Sequence, residues 1–77
     1  MDDIKAINTL KNRHHFGTYI PRSIVEALNY RNGHDIRIIT EFRKVLNYLR
    51  YILNSKGEGK LTSSELRFVE DFKEYEL

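Results

Sequence analysis

The 77-residue sequence is 40% hydrophobic and 31% charged, contains no cysteine, and carries a formal net charge of +2. This composition is typical of a folded globular chain and excludes a disordered one; without cysteine, neither a disulfide framework nor a thiolate metal site can form. No apolar run is long enough to span a membrane, and Met1-Asp2-Asp3 does not begin a secretion signal, so a cytoplasmic protein is expected.

Charge is unevenly distributed along the chain. Residues 1–50 contain nine Lys or Arg against five Asp or Glu, a balance of +4, whereas residues 51–77 contain four against six, a balance of −2. A basic front half is typical of a segment that meets phosphates, and an acidic rear half suits a second role such as protein binding. Two ordinary solvated surfaces would give the same pattern, so both interpretations stay open.

The N-terminal segment has two parts. Ile4, Ile7 and Leu10 recur at steps of three, which favours a short helix, although a strand stays open for residues 4–10. Residues 11–15 are polar and basic, and we interpret them as a loop that ends before Phe16-Gly17.

The stretch over residues 17–38 has the most distinctive pattern. Residues 18–20 are β-prone and stop at Pro21, which suits the first turn of a helix. Apolar residues then follow at helical spacing over about three turns. Gly33 closes that helix, and residues 35–38 alternate between polar and apolar as in a strand. The predicted order is strand, Pro, short helix, Gly turn, strand.

This order resembles the core of the AbrB/MazE family of swapped-hairpin DNA-binding proteins. The residues in register with that family's motif are Gly17, Ile20, Pro21, Ile24, Ala27, Leu28, Tyr30, Gly33, Ile36 and Ile38. The resemblance implies a dimer in which two chains interleave hairpins into one body, with basic loops facing DNA. It also implies that the segment before the first Gly of the motif contacts DNA.

Five residues are the DNA-contact candidates that the resemblance implies: Lys11, Asn12, Arg13 and His14 by their position, and Arg22 at the helix start. Their chemistry fits this role. Lys and Arg neutralise phosphates, Arg can bind guanine through two hydrogen bonds, and Asn can do the same for adenine. A solvated turn is the alternative interpretation of the same loop.

Residues 35–53 carry two conflicting patterns. Apolar residues step by three and four over the whole segment, which predicts one amphipathic helix of about 19 residues, whereas the resemblance implies strands. No Gly, Pro, Asn or Asp stands between Thr40 and Lys44 to make the turn that two strands would need. We therefore expect a strand over 35–39, Thr40 as N-cap, and a helix over 41–53. A wholly helical segment would instead favour a ribbon-helix-helix or an all-α chain.

The C-terminal part contains a helix start signal. Residues 54–60 are a polar, Gly-rich connection. Gly59 and Glu65 have the spacing of a calcium loop, but Lys56 stands where an oxygen ligand is required, and Leu61 replaces the Ser or Thr of a phosphate-binding loop. Thr62 and Glu65 have the spacing of a capping box, so a helix is predicted over 63–75. We expect this helix to pair with the helix over 41–53.

No set of side chains predicts catalysis or a bound cofactor. The three histidines, His14, His15 and His34, lack cysteine or well-spaced carboxylate partners for a metal, and no nucleophile stands at motif spacing from them. Tyr48 and Tyr51 could form a protein-binding face, although aromatic residues at this spacing are more often core or dimer interface. The prediction is a protein without enzymatic activity, metal or cofactor.

Together these patterns and the resemblance predict an α+β fold, with a swapped-hairpin, AbrB/MazE-like N-terminal unit in a homodimer and a C-terminal helical pair. One small domain would cover 1–77, with 1–40 as a DNA-binding unit and 41–77 as a helical hairpin for dimerisation or partner binding. The expected function is a small dimeric DNA-binding regulator or an antitoxin-like protein, with a protein partner bound through the acidic C-terminal helix. The alternative is an all-helical, non-enzymatic protein-binding module or inhibitor that acts on a larger protein complex.

Overall fold

The structure, a computed structural model, describes residues 1–15, 20–29 and 35–77, apart from the side chains of residues 14 and 15. Within these ranges the chain forms α1 (Asp3–His15), α2 (Arg22–Asn29), α3 (Asp35–Lys56), a short 3₁₀ helix (Glu58–Lys60) and α4 (Ser63–Asp71). No strand occurs in these three ranges. None of their helices combines the length and the apolar character needed to cross a membrane.

The predicted α+β, swapped-hairpin fold is therefore wrong for the part of the chain that the structure describes, and the all-α alternative fits. Residues 35–39, expected to be a strand, form the start of α3, and Ile36 on that segment is 79% exposed. The residues of α3 that enter the core are Ile38, Phe42, Leu46 and Leu49. Their steps of four, four and three place one continuous stripe in the core, which buries more apolar surface than a two-residue alternation could.

Two further expectations are corrected inside the helices. Thr40, expected as an N-cap, lies within α3, where its Oγ1 donates a hydrogen bond to the carbonyl oxygen of Ile36 at 2.7 Å. Residues 11–15 continue α1 instead of forming a loop. Of the strand predicted over 18–20, residues 18–19 lie outside the described residues, as does the turn predicted at Gly33; residue 20 is described and is not part of a strand.

Local capping explains most of the helix ends. The Asp2 carboxylate accepts a hydrogen bond from the backbone N–H of Lys5 at 2.8 Å, which caps α1. At the end of α3, Gly57 adopts φ +87°, and its N–H donates to the carbonyl oxygen of Leu53 at 3.1 Å. Only glycine takes such a positive φ routinely, so Gly57 allows the chain to leave the helix there.

The capping box predicted at the start of α4 is confirmed. The Thr62 hydroxyl accepts from the Glu65 N–H at 3.1 Å, and the Glu65 carboxylate accepts from the Thr62 N–H at 2.8 Å. The predicted end is wrong, because α4 stops at Asp71 and not at Tyr75. The Phe72 N–H bonds the carbonyl of Val69 and the Tyr75 N–H bonds that of Phe72, so tight turns replace the last helical turn.

The long helix α3 is the centre of the molecule, because α1, α2, α4 and the 3₁₀ helix all contact it. One core cluster takes residues from every α-helix and from the turns after α4. The ring of Phe42 lies at its middle and meets the edges of the rings of Phe68, Phe72 and Tyr75 at centroid distances of 6.0, 4.7 and 4.9 Å. Residue 40, the expected boundary between two units, lies inside this continuous helix.

Candidate functional site

An open groove of about 490 Å³ lies where the start of α2, the middle of α3 and the start of α4 meet. Its apolar lining consists of Ile20, Pro21, Val45, Tyr48, Leu49 and Phe68, and its polar lining of Arg22, Lys44, Ser64 and Glu65. Leu49 and Phe68 are almost fully buried and form the floor, whereas Tyr48 is 61% exposed and stands at the rim. The groove is therefore apolar at its base and reachable from solvent.

Two fixed helix starts define the groove walls. The carbonyl of Pro21 accepts from the N–H groups of Ile24 and Val25 at 3.0 and 3.1 Å, so α2 begins directly after Pro21. This confirms the predicted helix start. The capping box of Thr62 and Glu65 fixes the first turn of α4 in the same way. Because both starts are held by backbone hydrogen bonds, the groove is part of the folded scaffold.

Tyr48 and Tyr51 are both solvent-exposed, at 61% and 63%. Their three-residue spacing places them on neighbouring positions of one face of α3. Of the two, only Tyr48 lines the groove. The interpretation of this pair as core residues is wrong, and a binding role for Tyr48 is consistent with its position.

The cations at the groove are paired on their own helices. Arg22 Nε lies 3.3 Å from Glu26 Oε1, and Lys44 Nζ lies 3.6 Å from Glu41 Oε1. The Arg22 and Lys44 side chains are 93% and 68% exposed. The Arg22–Glu26 pair is exposed on both sides and contributes little stability, so Arg22 can exchange partners at low cost, whereas the Glu41 side chain that pairs with Lys44 is 28% exposed.

A second recess, of about 430 Å³, lies between the end of α3 and the opposite side of α4. Leu53, Leu66 and Val69 alternate there with the charged side chains of Glu58 and Arg67. It has no exposed aromatic residue at its rim. The groove at Tyr48 is the stronger candidate site for that reason.

The five predicted DNA-contact residues do not form one cluster in the part that the structure describes. Lys11, Asn12 and Arg13 occupy consecutive positions of α1, so their side chains leave the helix in different directions. Lys11 pairs with Asp35 at 3.8 Å, and Arg13 pairs with Asp71 at 3.6 Å. Arg22 stands apart on α2 at the groove, and the side chain of His14 lies outside the described residues.

Metal-ligating side chains do not cluster in residues 1–15, 20–29 and 35–77. No group of three or more His, Cys, Asp or Glu side chains in these ranges could hold a metal ion. Among the same residues the Tyr75 side chain, with its hydroxyl, is buried in the core, and no charged side chain is buried. His15 and His34 lie outside the described side chains.

A polar cluster of Asp3, Arg43 and Tyr75 joins the N-terminal helix to the turns after α4. The Tyr75 hydroxyl donates to the Asp3 carboxylate, and Arg43 Nε donates to the Tyr75 oxygen at 2.8 Å. Arg43 also pairs with Asp3 at 3.4 Å, and its guanidinium lies 5.9 Å from the centre of the Tyr75 ring. Burial, assisted by the hydrogen bond to Asp3, raises the pKa of the Tyr75 hydroxyl, although the hydrogen bond from Arg43 acts in the opposite direction.

We expect Tyr75→Phe to lower the unfolding free energy by about 1 kcal/mol at neutral pH, because the hydrogen bonds of the hydroxyl are lost. The pKa of Tyr75 is raised in the folded state, so its contribution is complete below the unfolded pKa of about 10 and is lost as the pH rises through the folded pKa. The stability difference between wild type and variant should therefore shrink above about pH 10. Urea denaturation across that range measures it, and a constant difference would contradict the assignment.

Sequence patterns missed the groove because its walls come from three separate segments. Two of its features were visible nevertheless: the capping box fixes the start of α4, and the helical period over 35–53 places Leu49 on the buried stripe. The sequence did not show that Tyr48 is exposed, because the exposure of a residue on α3 depends on how the other helices pack against it. Asp2 as the cap of α1 was also missed, although an Asp before an apolar run is a known start signal.

No family model, curated protein or solved structure matches the chain. Function is therefore inferred from the chain's own side chains and their positions.

Proposed function

We propose that this chain is a non-enzymatic protein-binding module whose groove receives an apolar segment of a partner protein. The observation that carries the proposal is the 61% exposure of Tyr48 beside a groove with a buried floor of Leu49 and Phe68. Tyrosine is enriched at interfaces because it combines apolar area with a polar tip, and truncation of such residues often removes most binding energy.

The shape and polarity of the groove favour a polypeptide over a small substrate. Its volume lies in the range of ligand sites, roughly 300–1,000 Å³. Small-molecule sites usually add a few fixed, buried polar groups that orient the ligand. Here the polar lining consists of exposed cations, an exposed serine, and Glu65, which is committed to the capping box. An open apolar channel of this kind suits the anchor residues of a partner segment.

DNA binding by Lys11, Asn12, Arg13, His14 and Arg22 stays a prediction, as does the homodimer. The swapped hairpin that pointed to DNA is not the fold of the described residues, so the support that remains is the type of these side chains. The ion pairs of Lys11 and Arg22 are exposed and weak, so they neither favour nor oppose phosphate binding, whereas Arg13 pairs with an Asp71 side chain that is 23% exposed.

The test compares immobilised wild-type protein with Tyr48→Ala and with Tyr51→Ala, its matched control on the same helix. Both tyrosines are exposed, so both variants should fold with stability changes within about 0.5 kcal/mol. We expect a protein from the source cells to be retained by wild type and Tyr51→Ala but lost from Tyr48→Ala. The same protein, once purified, should bind the wild-type chain in solution by light scattering.

A titration of labelled duplex DNA at two salt concentrations tests the alternative function, a DNA-binding regulator. Binding that falls steeply with salt, is lost in Lys11→Ala and Arg13→Ala, and is unchanged in Tyr48→Ala would support the DNA-binding regulator instead. A set of retained proteins that does not differ between the tyrosine variants would contradict the groove as the binding site.

A further inference from the structure

We infer, on the basis of the proposed function, that the groove binds an acidic protein segment: an aromatic or aliphatic anchor enters between Tyr48, Leu49 and Phe68, and flanking carboxylates pair with Arg22 and Lys44. Both the apolar base and the cations line the same groove, so one segment can meet them together. The anchor supplies affinity through apolar burial, and the carboxylates supply selectivity for the partner.

The groove should prefer an acidic segment because the cations Arg22 and Lys44 are the exposed charged groups that a partner can reach there. The two cations lie on different helices, α2 and α3, and their side chains are 93% and 68% exposed. Their present partners, Glu26 and Glu41, lie one turn away on the same helices and do not line the groove. An incoming carboxylate therefore meets the cations at the groove itself.

Exchange of these ion pairs costs little. Exposed pairs three or four residues apart on a helix contribute only a few tenths of a kcal/mol, which describes Arg22–Glu26; Lys44–Glu41 has the same kind of spacing, with the Glu41 side chain 28% exposed. A partner carboxylate held beside an apolar contact lies in a less hydrated site, where the same attraction is stronger than in open solvent. The native pairs therefore do not block an acidic partner.

The carboxylate that lines the groove, that of Glu65, is held back from the partner. Its Oε1 accepts the hydrogen bond from the Thr62 N–H at 2.8 Å, and it stands in the first turn of α4, where a negative charge is favourable. The groove lining also contains two long cationic side chains, Arg22 and Lys44, which are 93% and 68% exposed. A basic segment would find no carboxylate of comparable freedom in the groove lining.

The test selects short random peptides displayed on phage against the folded wild-type chain, then measures the affinity of the enriched peptides by fluorescence polarisation. We expect enriched peptides to combine an aromatic or aliphatic residue with neighbouring Asp or Glu. Their affinity should fall about tenfold or more in Tyr48→Ala and remain unchanged in Tyr51→Ala. The double variant Arg22→Gln/Lys44→Gln should weaken binding roughly 3- to 30-fold at low salt and less at high salt.

The control for charge is Lys56→Gln/Lys60→Gln, which removes two positive charges from exposed residues outside the groove lining. Peptides that require Tyr48 but show no acidic preference and no response to Arg22→Gln/Lys44→Gln would overturn the acidic partner and leave the proposed groove function standing. Enrichment of no peptide, or of peptides indifferent to Tyr48→Ala, would overturn both. Self-association of the chain that disappears in Tyr48→Ala would assign the groove to a second copy and would also overturn the inference.

Discussion

Replacement of Phe42 by Ala is expected to lower the unfolding free energy by about 3–5 kcal/mol. Phe42 is fully buried at the centre of α3, and its ring contacts three aromatic rings of α4 and the turns that follow it. Truncation leaves a cavity that these rings cannot all close, and it removes three edge contacts at once. A chain of this length has a total stability of about 4–12 kcal/mol, so the substitution should remove between roughly a quarter and all of it.

Urea denaturation followed by far-ultraviolet circular dichroism measures this loss. The matched control is Tyr51→Ala, which removes an aromatic ring of similar size from an exposed position of the same helix and should change stability by less than about 0.5 kcal/mol. A loss below about 1 kcal/mol for Phe42→Ala would mean that the aromatic cluster is not packed as described.

Arg50→Met is expected to lower the unfolding free energy by about 2–4 kcal/mol. The Arg50 guanidinium donates hydrogen bonds to the backbone carbonyls of Phe72 and Tyr75 at 2.8 and 2.7 Å. These carbonyls lie beyond the end of α4, and that of Phe72 also accepts from the Tyr75 N–H at 3.0 Å. Met keeps the apolar stem of the side chain, so the change isolates the two charge-assisted hydrogen bonds.

Denaturation gives the stability of the Arg50 variant, and limited trypsin digestion reports the local effect. We expect faster cleavage after Lys73 in Arg50→Met, because the turns at 72–75 lose their attachment to α3. Lys56→Met removes a cation from the exposed end of the same helix and should leave both measurements unchanged. Equal digestion rates in wild type and Arg50→Met would show that the C-terminal turns are held by other contacts.

Helix α3 shows where the sequence was sufficient and where it was not. The helical period over 35–53 identified Phe42 and Leu49 as core positions, and the missing turn residues between Thr40 and Lys44 argued against strands. The resemblance over 17–38 nevertheless favoured a strand at 35–39. It rested on few apolar positions, and such positions satisfy a short helix and a strand almost equally. Residues 35–39 form a helix because Ile38 continues the buried apolar stripe of Phe42, Leu46 and Leu49.

The ends of α4 show a second limit. Its start depends on a hydrogen-bonding pattern between residues three apart, which the sequence contains in full. The turns that follow its end are held by Arg50, a residue more than twenty positions earlier. The Arg50 guanidinium donates hydrogen bonds to the backbone carbonyls of residues 72 and 75. Local patterns cannot show such a tertiary contact. The same holds for the groove, whose walls are brought together only by the packing of three helices on one another.

The contacts of α1 with the last residues have a consequence during synthesis. The amino group of Met1 donates to the carbonyl of Glu74 at 3.2 Å, and Asp3 binds Tyr75. A ribosome makes these partners 72 or 73 positions apart, so the first helix leaves the exit tunnel long before the groups that hold its start exist. Residues 74 and 75 follow α4 by only a few positions, so the contacts that α1 makes with them close a loop of more than seventy residues and can form only once α4 has been made as well.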